Sequence, residues 1–177
     1  MTHRIGIVGG GQLGRMMIFE AKKLGFNVTV LDPTPDSPAG QVADYQIVAA
    51  YSDRSALAEL ARRSDVITYE IELENSDLFD ELVQGGAVIH PSVQTFKRIN
   101  DKYLQKVFLR KAGVPVADFT PVECKEDVVR AALTFGFPLL LKTRLFAYDG
   151  RGNALIRRER DIDATLGKLQ GKGLYVE

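Results

Sequence analysis

Three stretches of the sequence join reactive or ligand-binding residue types to a spacing that makes them useful. The first is Gly9-Gly10-Gly11-Gln12-Leu13-Gly14, a G-x-G-x-x-G placed between an apolar run and a helical pattern. Glycines there let the backbone turn sharply and approach a ligand, and the start of the helix offers unpaired N–H groups to an anion. The motif points to a nucleotide or phosphate site and only weakly to NAD; a tight turn that binds nothing is the competing reading. Asp32 closes the second apolar run, where a dinucleotide-binding fold keeps its ribose-binding acid. The second stretch is Glu70-Ile71-Glu72, with Glu74 close behind, at the end of a short apolar run. Glu70 at a strand end is placed to accept from an amine or hydroxyl, although composition alone favours a solvated acidic loop. The third is Leu139-Leu140-Leu141-Lys142, followed by Tyr148-Asp149-Gly150-Arg151-Gly152-Asn153. A lysine ending a buried strand is a point charge for phosphate oxygens, and glycines let loop N–H groups fold over them. A hairpin turn at Asp149-Gly150 explains the glycines but not the lysine.

Charge follows the same division. Residues 1–100 carry nine basic and thirteen acidic groups, and residues 101–177 fourteen basic and ten acidic, so a net charge of zero hides a basic second part. Its surplus gathers at Lys142, Arg144, Arg151, Arg157, Arg158 and Arg160 against Asp149 and Glu159. Basic groups beside glycines suit a small polyanion such as a nucleotide polyphosphate, whereas a duplex nucleic acid calls for a more continuous basic stripe. The 177 residues, 45% hydrophobic and 26% charged, exclude a disordered chain or a disulfide scaffold, and a single Cys124 excludes an internal disulfide. There is neither a membrane-length apolar run nor a signal-peptide core, so the expectation is a cytoplasmic protein without membrane partners.

These residues need elements to hold them. Strands are expected at 4–8, 27–31, 45–48, 66–69 and 87–90, and helices at 12–24, 53–63 and 76–84, a β-α-β succession that favours a parallel sheet covered on both faces. After Pro91 two helices are expected at 92–99 and 101–112. Then come strands at 119–122, 139–142, 154–156 and 174–176, helices at 126–135 and 161–169, and a loop at 143–153. The loop's glycines and positive charge predict poor order without nucleotide. A domain boundary falls near Asn100. Leu174-Tyr175-Val176-Glu177 reads as a strand in progress, as though the sequence were cut there. Such a strand is expected to be disordered near Glu177 or to offer a pairing-competent edge.

Residues 9–16 (GGGQLGRM), 66–72 (VITYEIE), 100–106 (NDKYLQK) and 139–153 (LLLKTRLFAYDGRGN) together resemble the N5-carboxyaminoimidazole ribonucleotide synthetase (PurK) family of ATP-grasp enzymes. The likeness runs through essentially the whole chain in order. Leu145-Phe146-Ala147 replaces a more frequent Gly-Gly pair and is similar to the variant of fungal-type members. The resemblance implies an α/β fold: a Rossmann-like pre-ATP-grasp domain over residues 1–100, then a linker helix and the first, partial lobe of an ATP-grasp domain over 101–177, ending at the adenine hinge. It implies a ligase of purine biosynthesis that carboxylates 5-aminoimidazole ribonucleotide with bicarbonate and ATP through carboxyphosphate, with Mg2+ held by carboxylates beyond residue 177. It places Lys102 and Lys142 on the ATP phosphates, with Lys142 and Arg151 as catalytic groups. Ala147, Tyr148, Asp149, Gly150, Arg151, Gly152 and Asn153 form the covering loop, and Glu177 opens the adenine hinge. Gly11, Gln12, Leu13 and Glu70 lie at the ribonucleotide, with Tyr148, Asp149 and Arg151 reaching it from the loop. A homodimer is implied for the full-length enzyme, and inactivity for the 177 residues alone. Two readings stay open beside it, a non-catalytic nucleotide- or NAD-binding module and another ATP-grasp ligase such as a formate-using transformylase.

Overall fold

A computed structural model describes residues 3–72, 77–145, 152–169 and 173–177, and the chain divides into two compact units, Met1–Phe96 and Lys97–Glu177. The covering-loop residues Ala147, Tyr148, Asp149, Gly150 and Arg151, and with them the expected disorder of that loop, lie outside the described residues, as does Glu74.

In the first unit β1 (Arg4–Val8), α1 (Gln12–Lys23), β2 (Asn27–Asp32), β3 (Tyr45–Val48), α2 (Arg54–Arg63), β4 (Val66–Tyr69) and α3 (Asp77–Gln84) follow in order, and α4 (Val93–Asn100) begins there and runs on past Phe96. The sheet is wholly parallel in the order β3-β2-β1-β4. Period-two alternation sends Val8 and Leu31 to one face, with Leu57, Leu60, Phe79 and Phe96. Ile7, Val28 and Val30 go to the other, where they meet Ile18 of α1. Helices therefore cover both faces, as the apolar runs require. Asp53 caps α2 by accepting from the N–H groups of Ser55 and Ala56 at 2.8 and 3.0 Å, which is why that helix starts there. The expected strand at 87–90 is reduced to one bridge between Ile67 and Ile89. Gly85 and Gly86 precede it and Pro91 follows, so little chain remains to extend a ladder.

The parallel order brings the carboxyl ends of β1, β2 and β4 together. The chain runs outward from β1 through β2 to β3 and then crosses to β4 on the other side of β1. The β1/β4 boundary is thus a switch point, where open α/β sheets bind ligands.

The second unit contains α5 (Lys102–Lys111), β5 (Thr120–Val122), α6 (Lys125–Phe135), β6 (Leu139–Thr143), β7 (Asn153–Ile156), α7 (Ile162–Lys168) and β8 (Leu174–Val176). Its sheet is antiparallel, in the order β5-β8-β6-β7. Leu139 and Leu141 of β6 and Val176 of β8 pack with Val128 and Ala131 of α6 and Ile162 of α7. The expectation of a pairing-competent edge at the last strand is overturned. β8 lies inside the sheet between β5 and β6, and the Glu177 backbone continues its ladder, donating to Leu140 O at 3.0 Å and accepting from Leu140 N at 2.6 Å. An interior strand with both rows of backbone groups paired has no open edge.

Candidate functional site

Each unit gathers its own polar centre. In the first, β1 ends at Val8 and the three glycines carry the chain over the sheet edge into α1. Gly9 has φ +108°, a conformation that L side chains avoid. The turn is fastened at Gly10 by Asp32. Asp32 Oδ2 accepts from Gly10 N–H at 2.7 Å and from the Tyr51 hydroxyl at 2.6 Å, and Oδ1 accepts from Thr34 N–H at 2.8 Å. Asp32 is only 6% exposed. Burial opposes its charge, but the bonds from Tyr51, Thr34 and Gly10 outweigh it and hold the carboxyl below its usual range. The expectation of a ribose-binding acid at Asp32 therefore fails, because its oxygens are committed to the turn.

Glu70 follows β4 directly, and its N–H donates to Val8 O at 2.8 Å. Its carboxylate leans onto the glycine turn, so close that a Cβ on Gly11 would meet Oε1 at 2.8 Å. Burial raises its pKa, the N–H groups of Gly11, Gly14 and Leu13 pull it back, and the Asp32 charge adds to the rise; the net direction is upward. Oε2 is buried without a hydrogen-bond partner among the described residues. Gly11, Leu13 and Glu70 are thus brought together, with Gln12 exposed beside them and the Leu13 side chain 62% exposed.

Shifts of opposite sign in the first unit set a pH dependence: Glu70 is raised, while Asp32, Asp44, Asp53 and Asp65 are lowered. Glu70 has a folded pKa above its unfolded value, so the first unit gains stability as pH falls through that raised value toward the usual glutamate range. Asp32 is depressed, so its contribution is present above the usual aspartate range and is lost as pH falls through its folded value. Denaturant titrations are expected to show the first unit most stable on the acid side, just above the ordinary carboxylate range. Glu70→Gln should remove the rise toward that maximum. A wild-type profile flat from neutrality to that range would contradict the burial of Glu70.

In the second unit the alternation of β6 decides the geometry. Leu139, Leu141 and Thr143 face α6 and α7, so Lys142 takes the opposite face. β8 pairs Tyr175 with Lys142, and the next step of the same period brings Glu177 to that face as well. Lys142 Nζ donates to Glu177 Oε1 at 2.8 Å, and Lys106 of α5 pairs with Oε2. Side-chain exposures of 21% for Lys142 and 15% for Lys106 and Glu177 leave this cluster weakly screened. Burial works against both charges, yet the lysines hold the Glu177 carboxyl below its usual range, and Glu177 and Tyr175 hold Lys142 above its own. Lys142 Nζ lies 5.8 Å from the Tyr175 ring centroid and Lys106 Nζ 5.2 Å from that of Phe119. Two ammonium groups converging among aromatic rings form a ready anion site, which the Glu177 carboxylate shares.

Sequence reasoning missed Lys106 as a site residue, although it is one helical turn after Lys102 and stands in the quoted NDKYLQK stretch. Lys102 opens α5, where its N–H donates to Arg144 O at 2.9 Å. Gly152 O accepts from Thr143 N–H at 2.8 Å, and Asn153 is in register with Lys142, so both ends of the covering loop spring from beside that lysine. A groove of about 480 Å³ between β5 and α6 is not part of this centre. Its Asp127 is spent on the N–H groups of Glu123 and Cys124, and Arg130 pairs with that same carboxylate. The Cys124 thiol is exposed and its pKa is raised by Glu126, so it is not poised as a nucleophile.

Residues 1–100 match the ribonucleotide synthetase preATP-grasp domain. The chain belongs to that family. Residues 107–177 match the ATP-grasp domain. The N5-carboxyaminoimidazole ribonucleotide synthase of Staphylococcus haemolyticus is 42% identical over 158 residues, which are 89% of this chain and 42% of that protein. A structure of N5-carboxyaminoimidazole synthetase from Staphylococcus aureus complexed with ADP superimposes with a TM-score of 0.92 at 36% identity, covering 100% of this chain and 48% of that one. The Aspergillus clavatus N5-carboxyaminoimidazole synthase in complex with ADP and 5-aminoimidazole ribonucleotide gives 0.89 at 33% identity, covering 99% and 46%. The chain spans less than half the length of the relatives it matches. The preATP-grasp and ATP-grasp matches agree with the α/β architecture expected from the sequence. No described helix is long and apolar enough to cross a membrane.

Proposed function

We propose that this chain works in the ATP-dependent carboxylation of 5-aminoimidazole ribonucleotide, in which ATP, bicarbonate and the ribonucleotide give N5-carboxyaminoimidazole ribonucleotide, ADP and phosphate. The observation that carries the reading is the convergence of Lys106 and Lys142 on one shielded anion position beside the roots of a glycine-bearing loop. Residues 1–100 serve as the ribonucleotide-binding domain and 101–177 as part of the ATP lobe. The relatives bound to ADP and to the ribonucleotide support it.

In this reading the two lysines neutralise phosphate oxygens, the dominant requirement of phosphoryl transfer. A bicarbonate oxygen bonds to the γ-phosphorus as the bond to ADP breaks. The resulting carboxyphosphate releases phosphate and CO2, and the exocyclic amine captures the CO2. Water must be kept from that labile species, a task for the loop carrying Tyr148, Asp149 and Arg151. Glu70, whose Oε2 has no hydrogen-bond partner among the described residues, accepts from an amine or hydroxyl of the ribonucleotide at the Gly11-Gln12-Leu13 turn. Mg2+ does not fit the described residues. No three of their His, Cys, Asp and Glu side chains gather to hold a metal, and Glu177 is committed to two lysines. A cytoplasmic homodimer is the setting proposed for the full-length enzyme.

The commitment of Asp32 to Gly10, Thr34 and Tyr51 argues against the NAD-module reading. The deciding assay is ADP release by the full-length protein with and without each substrate. Release that needs both bicarbonate and the ribonucleotide is expected; release that needs formate instead would move the chain to the transformylase reading. Under the same conditions the 177 residues alone are expected to show no substrate-dependent release above background, since they span less than half the length of the relatives they match. Turnover at an enzymatic rate from a sample free of longer chains would refute that.

A further inference from the structure

Arg144 lies two residues beyond Lys142, so the alternation of β6 continued one step turns it to the lysine's face. Its guanidinium makes a two-pronged bond to Asp101, with Nε 3.1 Å from Oδ2 and the terminal nitrogen 2.6 Å from the same oxygen, and Nε 3.2 Å from Oδ1. Asp101 is also the cap of α5, where Oδ1 accepts from the N–H groups of Tyr103 and Leu104, each at 3.0 Å. The Arg144 backbone adds two ties, its carbonyl accepting from Lys102 N–H at 2.9 Å and its N–H donating to Gly173 O at 3.0 Å. The guanidinium lies 5.0 Å from the Tyr103 ring centroid. One residue thus connects the start of α5, the end of β6 and the entry to β8. Two of those elements carry Lys106 and Lys142, and Glu177 directly follows the third.

Partly buried ion pairs contribute little stability over their desolvation cost, so a pair this well formed is better explained by the geometry it fixes. We propose that Arg144 and Asp101 are positioning residues that set the separation of Lys106 and Lys142, and with it the anion site between them. The proposal deepens the ATP-site reading and rests on it for its catalytic meaning. The fork matters more than the charge, because lysine is a point charge and cannot hold both oxygens in a plane.

The test uses Arg144→Lys, Asp101→Asn and the double variant. Asparagine caps helices as well as aspartate does, so Asp101→Asn keeps α5 capped while removing the charge that Arg144 grips. The first readout is the Glu177 carboxyl, followed by 13C NMR titration in the full-length enzyme without nucleotide. It should rise from its depressed value toward the usual range in each single variant, with no further rise in the double. The second is ADP binding by the full-length enzyme, measured well below the melting temperature of each variant and expected to weaken about tenfold. A Glu177 titration unchanged in both single variants overturns the proposal, as do effects that add in full in the double variant. Lys142→Ala is the control for the underlying reading. If it leaves ADP binding unchanged, the ATP site is wrong, while the Glu177 titration still decides whether Arg144 and Asp101 position the lysines.

Discussion

Lys142→Ala in the full-length enzyme is expected to lower kcat/KM for ATP by about a hundredfold, near 2.7 kcal/mol at 1.36 kcal/mol per tenfold change. Two effects combine. The variant removes a charge-assisted contact to phosphate, a kind of bond worth about 1.5–3 kcal/mol. It also leaves Glu177 with only Lys106 to balance it, so an under-neutralised carboxylate faces the incoming phosphates. Lys142→Met separates charge from packing, since methionine keeps much of the apolar stem while removing the ammonium that lies near the Tyr175 ring. Both variants should behave alike if charge dominates. Steady-state kinetics in ATP and calorimetric titration with ADP measure the effect, and unchanged values in either variant would remove Lys142 from the site.

Gly9→Ala should give the largest loss of stability in the first unit, about 3 kcal/mol. The backbone at φ +108° is strained for any L side chain, which costs about 1–3 kcal/mol. The added Cβ would also meet Glu70 Oε2 at 2.6 Å and Ile71 Cγ2 at 2.7 Å, and such overpacking adds about 1–3 kcal/mol. For a unit of this size the melting temperature should fall by about 10 °C or more. The transition of the first unit must be followed separately, because two units need not unfold as one. Gly25→Ala is the matched comparison: its φ is +79°, but nothing lies within 4 Å of its Cβ position. It should cost only the backbone strain. If Gly9→Ala is no worse than Gly25→Ala, the carboxylate of Glu70 does not lie on the glycine turn.

Much of this architecture was legible in the order of residues. Apolar runs separated by helical patterns require a covered parallel sheet, and the strand ends place the glycine turn, Asp32 and Glu70 at one edge. The period of two likewise determined that Lys142, at the end of Leu139-Leu140-Leu141, faces away from Leu141. The use of each acid was not legible. Asp32 occupies a ribose-binder's position, yet its oxygens are taken by Gly10, Thr34 and Tyr51, and Tyr51 reaches it only because β3 and the segment after it return beside β2. The strand expected before Pro91 shrank to one bridge because a ladder depends on its neighbours as well as on its own apolar residues. Strand order is not written in local pattern, so the last strand's apolar residues alone leave its edges open; placing β8 between β5 and β6 is a tertiary decision. That same decision brings Glu177 to Lys142, while the packing of α5 brings Lys106 to both. Local sequence determined which face of a strand or helix each charge would occupy, since that follows from backbone periodicity. Which charges meet was decided only by the tertiary structure, because strand order and helix packing join residues that no local period connects.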